Sequence, residues 1–234
     1  MRIENTPASW GWLAGLLVFL AGLLIWDVGC LYPSAGVPNN AAVRAQYDAA
    51  VSIEVTCAVQ GDGEVTVLSW YGSGVIVAPD RVLTAEHVVS GERKTLVCEY
   101  QVTDAAGAVR KMHAGTRVEG NDLASLVLEK TSPPFTLIRY PQFGRKPTVG
   151  MKVCAATGMP HRTHRCGEVQ PYAEPPGDIA FDVIVVPGNS GSALYDQDGN
   201  VVGIVTHLTM CQNHQFCGGR ASSLEGHLGV LLER

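Results

Sequence analysis

The chain has 234 residues, is 46% hydrophobic and carries a formal net charge of −5. That apolar content is ample for a core in one large domain or two small ones. The negative balance gives no basis for a nucleic-acid partner.

The first predicted element is the uncharged apolar run 10–26. As a helix it spans about 25 Å, near the short limit for crossing a bilayer core. Trp10, Trp12 and Trp26 sit at its ends, as interface anchors do. Arg2 and the amino terminus precede it, offset in part by Glu4, and Asp27 closes it. This predicts a cytoplasmic stretch 1–9, a transmembrane or signal-anchor helix 10–26, a tether 27–42 and an exported remainder. Two other fates stay open. One is cleavage after a small residue such as Ala35 or Gly36. The other is a lipoprotein signal with Cys30 acylated, which Gly29-Cys30 suits and Asp27 does not.

Beyond the tether, 26 glycines and 13 prolines punctuate short runs of β-branched residues, which argues for an all-β barrel or sandwich. Strands are predicted over 51–59, 66–70, 73–78, 81–84, 94–101, 109–117 and 123–128. The stretch 131–148, with four prolines, reads as a linker. Further strands follow over 152–157, 167–172, 179–186, 192–195 and 201–208. Ser222 or Ser223 is placed to cap a short helix running through Leu232, although Gly226 and Gly229 weaken it.

Three segments carry chemistry. In Gly188-Asn189-Ser190-Gly191-Ser192 a serine stands between glycines after an apolar run. Such a turn exposes a hydroxyl beside backbone N–H groups, which an acyl-transfer nucleophile requires. His87 follows a predicted strand on a short turn, and Asp122 opens another strand after Gly120-Asn121. The order histidine, aspartate, serine is one that hydrolytic triads take.

The segments LTAEHVV, NDLASLVL and GNSGSAL together resemble the three signatures of trypsin-like serine peptidases of the chymotrypsin fold. Their style is closest to compact bacterial and viral-type members, including Deg-type peptidases and glutamyl endopeptidases. The resemblance covers about residues 48–232 and implies two six-stranded Greek-key β-barrels. The first, 43–130, would carry His87 and Asp122. A linker, 131–149, would lead to the second, 150–234, which would carry Ser190 and the C-terminal helix. Ser190 would attack the scissile carbonyl of a polypeptide, His87 would shuttle the proton, and Asp122 would orient His87. The N–H groups of Gly188 and Ser190 would form the oxyanion hole, and Thr206 would support the aspartate. The pocket for the residue before the cut would be lined by Ile184, Val185, Val186, Pro187, Thr206, His207 and Leu208. The family's pocket-base position falls near Ile184 and carries no acidic residue, so small or apolar side chains are expected there. Asn189 replaces the aspartate of zymogen-activated trypsins, so no trypsin-style activation switch is inferred. No metal or organic cofactor is needed. Rival readings are a catalytically silent peptide-binding module on the same fold, a peptidase that processes only itself, and an esterase.

Six cysteines remain once Cys30 is set aside, and an even number in an exported domain suggests three disulfides. The family's strand neighbours imply Cys57–Cys98, and Cys154–Cys166 and Cys211–Cys217 would close short loops. Cys211, His214 and Cys217, with His207, offer an alternative zinc-ligand set.

Overall fold

The computed structural model describes residues 41–60, 64–90, 95–118, 120–159, 162–171, 178–210 and 216–233. All belong to one compact unit, Ala35–Arg234. The predicted membrane segment 10–26, the tether up to Asn40, and Cys30, Cys211 and His214 lie outside the described residues, and of Cys217 only the backbone is described. Among the described residues no helix is long and apolar enough to cross a membrane.

The described chain opens with helix α1 (Ala41–Ala49), which leads directly into β1 (Ala50–Gln60). Along β1, buried Val51, Ile53, Val55, Cys57 and Val59 alternate with partly exposed residues, the period-two pattern of a strand with one face on a core. β2 (Val65–Ala78) runs antiparallel beside β1 over its whole length. It is one long strand where two were expected. It is exposed near its start and buried from Gly72 to Val77. β3 (Arg81–Thr84), helix α2 (Glu86–Ser90), β4 (Thr95–Thr103), β5 (Val109–Val118) and β6 (Leu123–Leu128) complete the first half. These strands close into a barrel of order β1-β2-β3-β6-β5-β4. Its interior holds Ile53, Ile76, Leu83, Val102, Met112 and Leu126, all essentially inaccessible to water. Cys57 and Cys98 face each other across β1 and β4 and are joined by a disulfide.

The second half comprises β7 (Lys152–Thr157), β8 (Thr163–Glu168), β9 (Asp178–Phe181), β10 (Ala193–Tyr195), β11 (Val201–Met210) and β12 (Phe216–Ser223), then helix α3 (Leu228–Leu232). The expectation of a second closed barrel is corrected here. These strands form a six-stranded sheet of order β8-β7-β10-β11-β12-β9. Its outer strands are not paired as a ladder; they meet where β8 and β9 end, through the isolated bridge Val169–Phe181 and hydrogen bonds from Gln170 N–H to the Ala180 carbonyl at 2.8 Å and from Asp182 N–H to the Glu168 carbonyl at 3.2 Å. β8 lies earlier in the chain than expected, β9 is shorter, and β12 was not expected at all. α3 starts after His227 with no side-chain cap, so neither Ser222 nor Ser223 caps it. A second disulfide joins Cys154 to Cys166 across β7 and β8.

The two halves share one hydrophobic cluster. Ala156, Ala193, Tyr195, Val201 and Ile204 of the sheet pack with the barrel core, while Val153, Phe181, Leu194, Val202 and Val205 form a separate cluster. The seam between the halves is tight. At Gly158 a β-carbon would collide with the backbone of Val51, so β1 and the β7–β8 turn meet main chain to main chain. Two arginines, Arg81 buried and Arg162 half-buried, fasten the helices. Arg81 donates to the carbonyls of Leu231 and Glu233 at the end of α3. Arg162 donates to the carbonyls of Tyr47, Ala50 and Thr103, tying β8 to the end of α1 and to the barrel.

Candidate active site

His87 lies in the one-turn helix α2, and Asp122 lies in the turn that enters β6. Asp122 has φ of 50°, the left-handed region that aspartate tolerates better than most residues. That conformation turns its carboxylate toward α2. One oxygen accepts from the His87 backbone N–H at 2.9 Å, and the other lies 2.7 Å from His87 Nδ1. The Asp122 carbonyl also accepts from Glu86 N–H at 3.2 Å. Three contacts thus fix the imidazole and the carboxylate against each other. With Nδ1 donating to the carboxylate, Nε2 is left as a free acceptor. The His87 side chain is 45% exposed, so that acceptor is open to a ligand.

Ser190 stands in the turn between β9 and β10, beside the barrel. Its carbonyl accepts from Ser73 N–H of β2 at 2.8 Å. Gly72, the preceding residue, marks where the halves meet. A β-carbon there would come within 2.6 Å of the Val88 side chain on α2 and 3.3 Å of the Ser190 carbonyl. Gly191 has φ of +88°, and a β-carbon on it would strike the Ser73 carbonyl and the Thr84 hydroxyl. Only glycine lets the loop lie this close to β2. Among the described residues the N–H groups of Gly188 and Ser190 have no acceptor within the chain, and no hydrogen bond joins Ser190 to His87. Asn189 is 5% exposed; its Oδ1 accepts from Val186 N–H at 2.9 Å and its Nδ2 donates to the Met159 carbonyl. The Asn189 side chain is thus held by neutral hydrogen bonds through both its oxygen and its nitrogen.

Thr206 is buried, donates to the Arg220 carbonyl at 3.4 Å and lies 3.0 Å from His207 Nδ1. Among the described residues it makes no hydrogen bond to Asp122. The His207 ring lies 6.3 Å from that of His87, centroid to centroid. Of the expected pocket residues, Ile184, Pro187, His207 and Leu208 are exposed, Val186 is half-buried, and Val185 is buried. Val185 lies behind the surface with Phe181. A β-carbon at Gly219 would come within 2.6 Å of the Phe181 ring and 2.9 Å of Val185 Cγ2. Phe181 was not singled out from sequence. Nor was Ser73, although a polar residue inside the buried run Gly72–Val77 was a signal that it has a partner. The third disulfide and the alternative zinc set both depend on residues outside those described. Cys154, His164 and Cys166 cluster within metal-ligand reach of one another, but the two thiols are bonded to each other.

A six-stranded barrel docked on a six-stranded sheet, with His87, Asp122 and Ser190 at their junction, is the architecture of chymotrypsin-type peptidases. The crystal structure of the Rv3671c protease from M. tuberculosis in its active form superimposes with a TM-score of 0.61 at 21% identity, covering 86% of this chain and 88% of that one. That likeness concerns the fold. The trypsin-like peptidase domain family matches residues 72–204, more than half of the chain, and the chain belongs to that family. That family is one of peptidases, hydrolases of polypeptides. A probable periplasmic serine endoprotease, DegP-like, from Marinomonas sp. (strain MWYL1) is 31% identical over 151 residues. The match takes in 58% of this chain and spans 29% of the length of that relative.

Proposed function

We propose that the protein is an exported serine endopeptidase whose triad is His87, Asp122 and Ser190. The observation that carries this reading is the doubly bonded His87–Asp122 pair beside a serine held in a glycine turn against β2. Ser190 Oγ attacks the scissile carbonyl as His87 Nε2 takes its proton. Asp122 holds the ring in the required tautomer and stabilises the imidazolium. His87 then protonates the leaving amine, and water releases the acyl group by the same route. The Gly188 and Ser190 N–H groups receive the oxyanion. The site residues reach hydrogen-bonding distance on substrate binding, as is common in unliganded enzymes.

Export is supported by the two disulfides, which persist in oxidising compartments, and by the Marinomonas relative, which is described as a probable periplasmic enzyme. The apolar run 10–26 supports a retained membrane tether, with signal cleavage or acylation at Cys30 as the alternatives. For the residue before the cut we propose a small or apolar side chain. The Phe181 ring against Gly219 fills space behind Val185, and Ile184 supplies no charge. A peptide-library profile dominated by Arg or Lys overturns that preference.

The test is labelling with a fluorophosphonate probe beside Ser190→Ala, with the adduct mapped by mass spectrometry. The expected result is an adduct on Ser190, with turnover about four to six orders of magnitude lower in the mutant. A folded protein that takes no label is a silent peptide-binding module instead. Intact mass of the protein recovered from membranes checks the tether, since cleavage near Ala35 removes the apolar run.

A further inference from the structure

We infer that Ser73, in the barrel, is a positioning residue that sets the geometry of the Gly188–Ser190 loop in the sheet. This rests on the reading of Ser190 as nucleophile. Ser73 is completely buried, yet its hydroxyl is fully used. Oγ donates to the Gly188 carbonyl at 2.7 Å and accepts from the N–H groups of Gly158 at 3.2 Å and Met159 at 3.1 Å. One donor and two acceptor sites are all that a hydroxyl offers. The Ser73 main chain adds a second hold, its N–H donating to the Ser190 carbonyl at 2.8 Å. Thr84 Oγ1 fixes Ser73 itself by donating to its carbonyl at 2.8 Å.

One residue therefore pins the carbonyls on both sides of the Asn189–Ser190 step. Asn189 closes the circuit, because its Nδ2 donates to the carbonyl of Met159, whose own N–H donates to Ser73 Oγ. With the Gly188 carbonyl held toward the barrel and Asn189 N–H held on the Val186 carbonyl at 2.9 Å, the peptide between Gly188 and Asn189 cannot turn over. The Gly188 and Ser190 N–H groups sit on the two peptides that flank this fixed one, so holding it sets the direction from which both face an incoming oxyanion. Such preorganisation governs turnover rather than substrate affinity.

The matched control is Ser125, another essentially buried barrel serine, whose hydroxyl accepts from Thr116 N–H at 3.0 Å and makes no bond to the loop. Ser73→Ala and Ser125→Ala are compared with wild type for melting temperature, kcat and KM on a peptide substrate, rate of fluorophosphonate labelling, and hydrogen exchange across 186–192. Ser73→Ala is expected to lower kcat and the labelling rate together, by about tenfold to a hundredfold, with KM changed less than about threefold. Exchange across 186–192 rises in Ser73→Ala alone, while both variants lower the melting temperature. Equal losses of kcat in the two variants, or unchanged kcat and exchange in Ser73→Ala, overturn the proposal. The readouts separate the two readings. Wild type that takes no label while Ser73→Ala still loosens 186–192 sinks the peptidase reading and leaves the clamp on the loop standing. Normal labelling in Ser73→Ala with unchanged exchange removes the clamp and spares the peptidase.

Discussion

The barrel and the sheet hold their shares of the site in different ways. The barrel is closed on itself, and its His87–Asp122 pair is built wholly from its own elements, α2 and the β5–β6 turn. The sheet does not pair its outer strands into a closed barrel, and it takes the support of its Ser190 loop from Ser73 across the seam. On the proposed triad, a self-contained half carries the proton-transfer pair and a dependent half carries the nucleophile. Damage to the first is expected to be chemical and local, whereas damage to the second is expected to travel through docking.

The strongest break in that comparison is Asp122→Asn. The amide keeps the shape but favours the wrong imidazole tautomer, so kcat falls by about 10⁴ with little change in fold, read by steady-state kinetics and circular dichroism. Gly191→Ala attacks the dependent half. A methyl at φ of +88° strikes Ser73 and Thr84, pushing the loop off β2, and kcat is expected to fall at least about a hundredfold. Thermal scans of Gly191→Ala should show the sheet loosened more than the barrel, and an unshifted transition with full activity would falsify the seam argument. The disulfides sharpen the comparison further. Cys57–Cys98 joins residues 41 apart and Cys154–Cys166 residues 12 apart. By loop-closure entropy, paired Cys→Ala replacement costs about 4 kcal/mol for the first and about 3 kcal/mol for the second, measured by urea unfolding.

The smallest effect concerns Asp104 and Arg110, a nearly buried pair in the barrel. Burial alone pushes the Asp104 carboxyl up, but the Arg110 guanidinium and the Ala108 and Ala106 amides outweigh it and hold it below its usual range. A depressed carboxylate contributes stability above its unfolded pKa and loses it as the pH falls through the folded value. Asp104→Asn is therefore expected to cost about 2 kcal/mol at neutral pH. Its stability should converge on wild type in strong acid, traced by unfolding midpoints against pH.

Much of the barrel was legible because its strands alternate strictly or are buried outright. β3 and β6 fall where the pattern puts them, as does β7 in the sheet. The pattern failed where side chains are sparse or both faces are half-exposed. β12 carries Gly218 and Gly219 where Phe181 leaves no room for a β-carbon, so it reads as a turn. β8, with His164 and Arg165, looks like a charged loop because it is an edge strand with no fully buried residue. α1 is too short for a clear helical period, and its place depends on Arg162 and on packing against β1. Of the site, the histidine, aspartate and serine segments stood out by residue type and order. The support did not, since Ser73 acts through partners 85 and 115 positions away.

The main-chain contact of Gly158 with Val51 has a bearing on biosynthesis. A ribosome delivers β1–β6 first, and the face of β2 that will receive the loop must wait, wetted, for about a hundred residues more to emerge. The last feature of the cleft to acquire its form is then the peptide bearing Ser190. On the proposed mechanism, a nascent chain holds a finished His87–Asp122 pair with nothing to activate, so cleavage competence arrives only when the seam shuts, and a stalled or truncated product stays harmless to its neighbours.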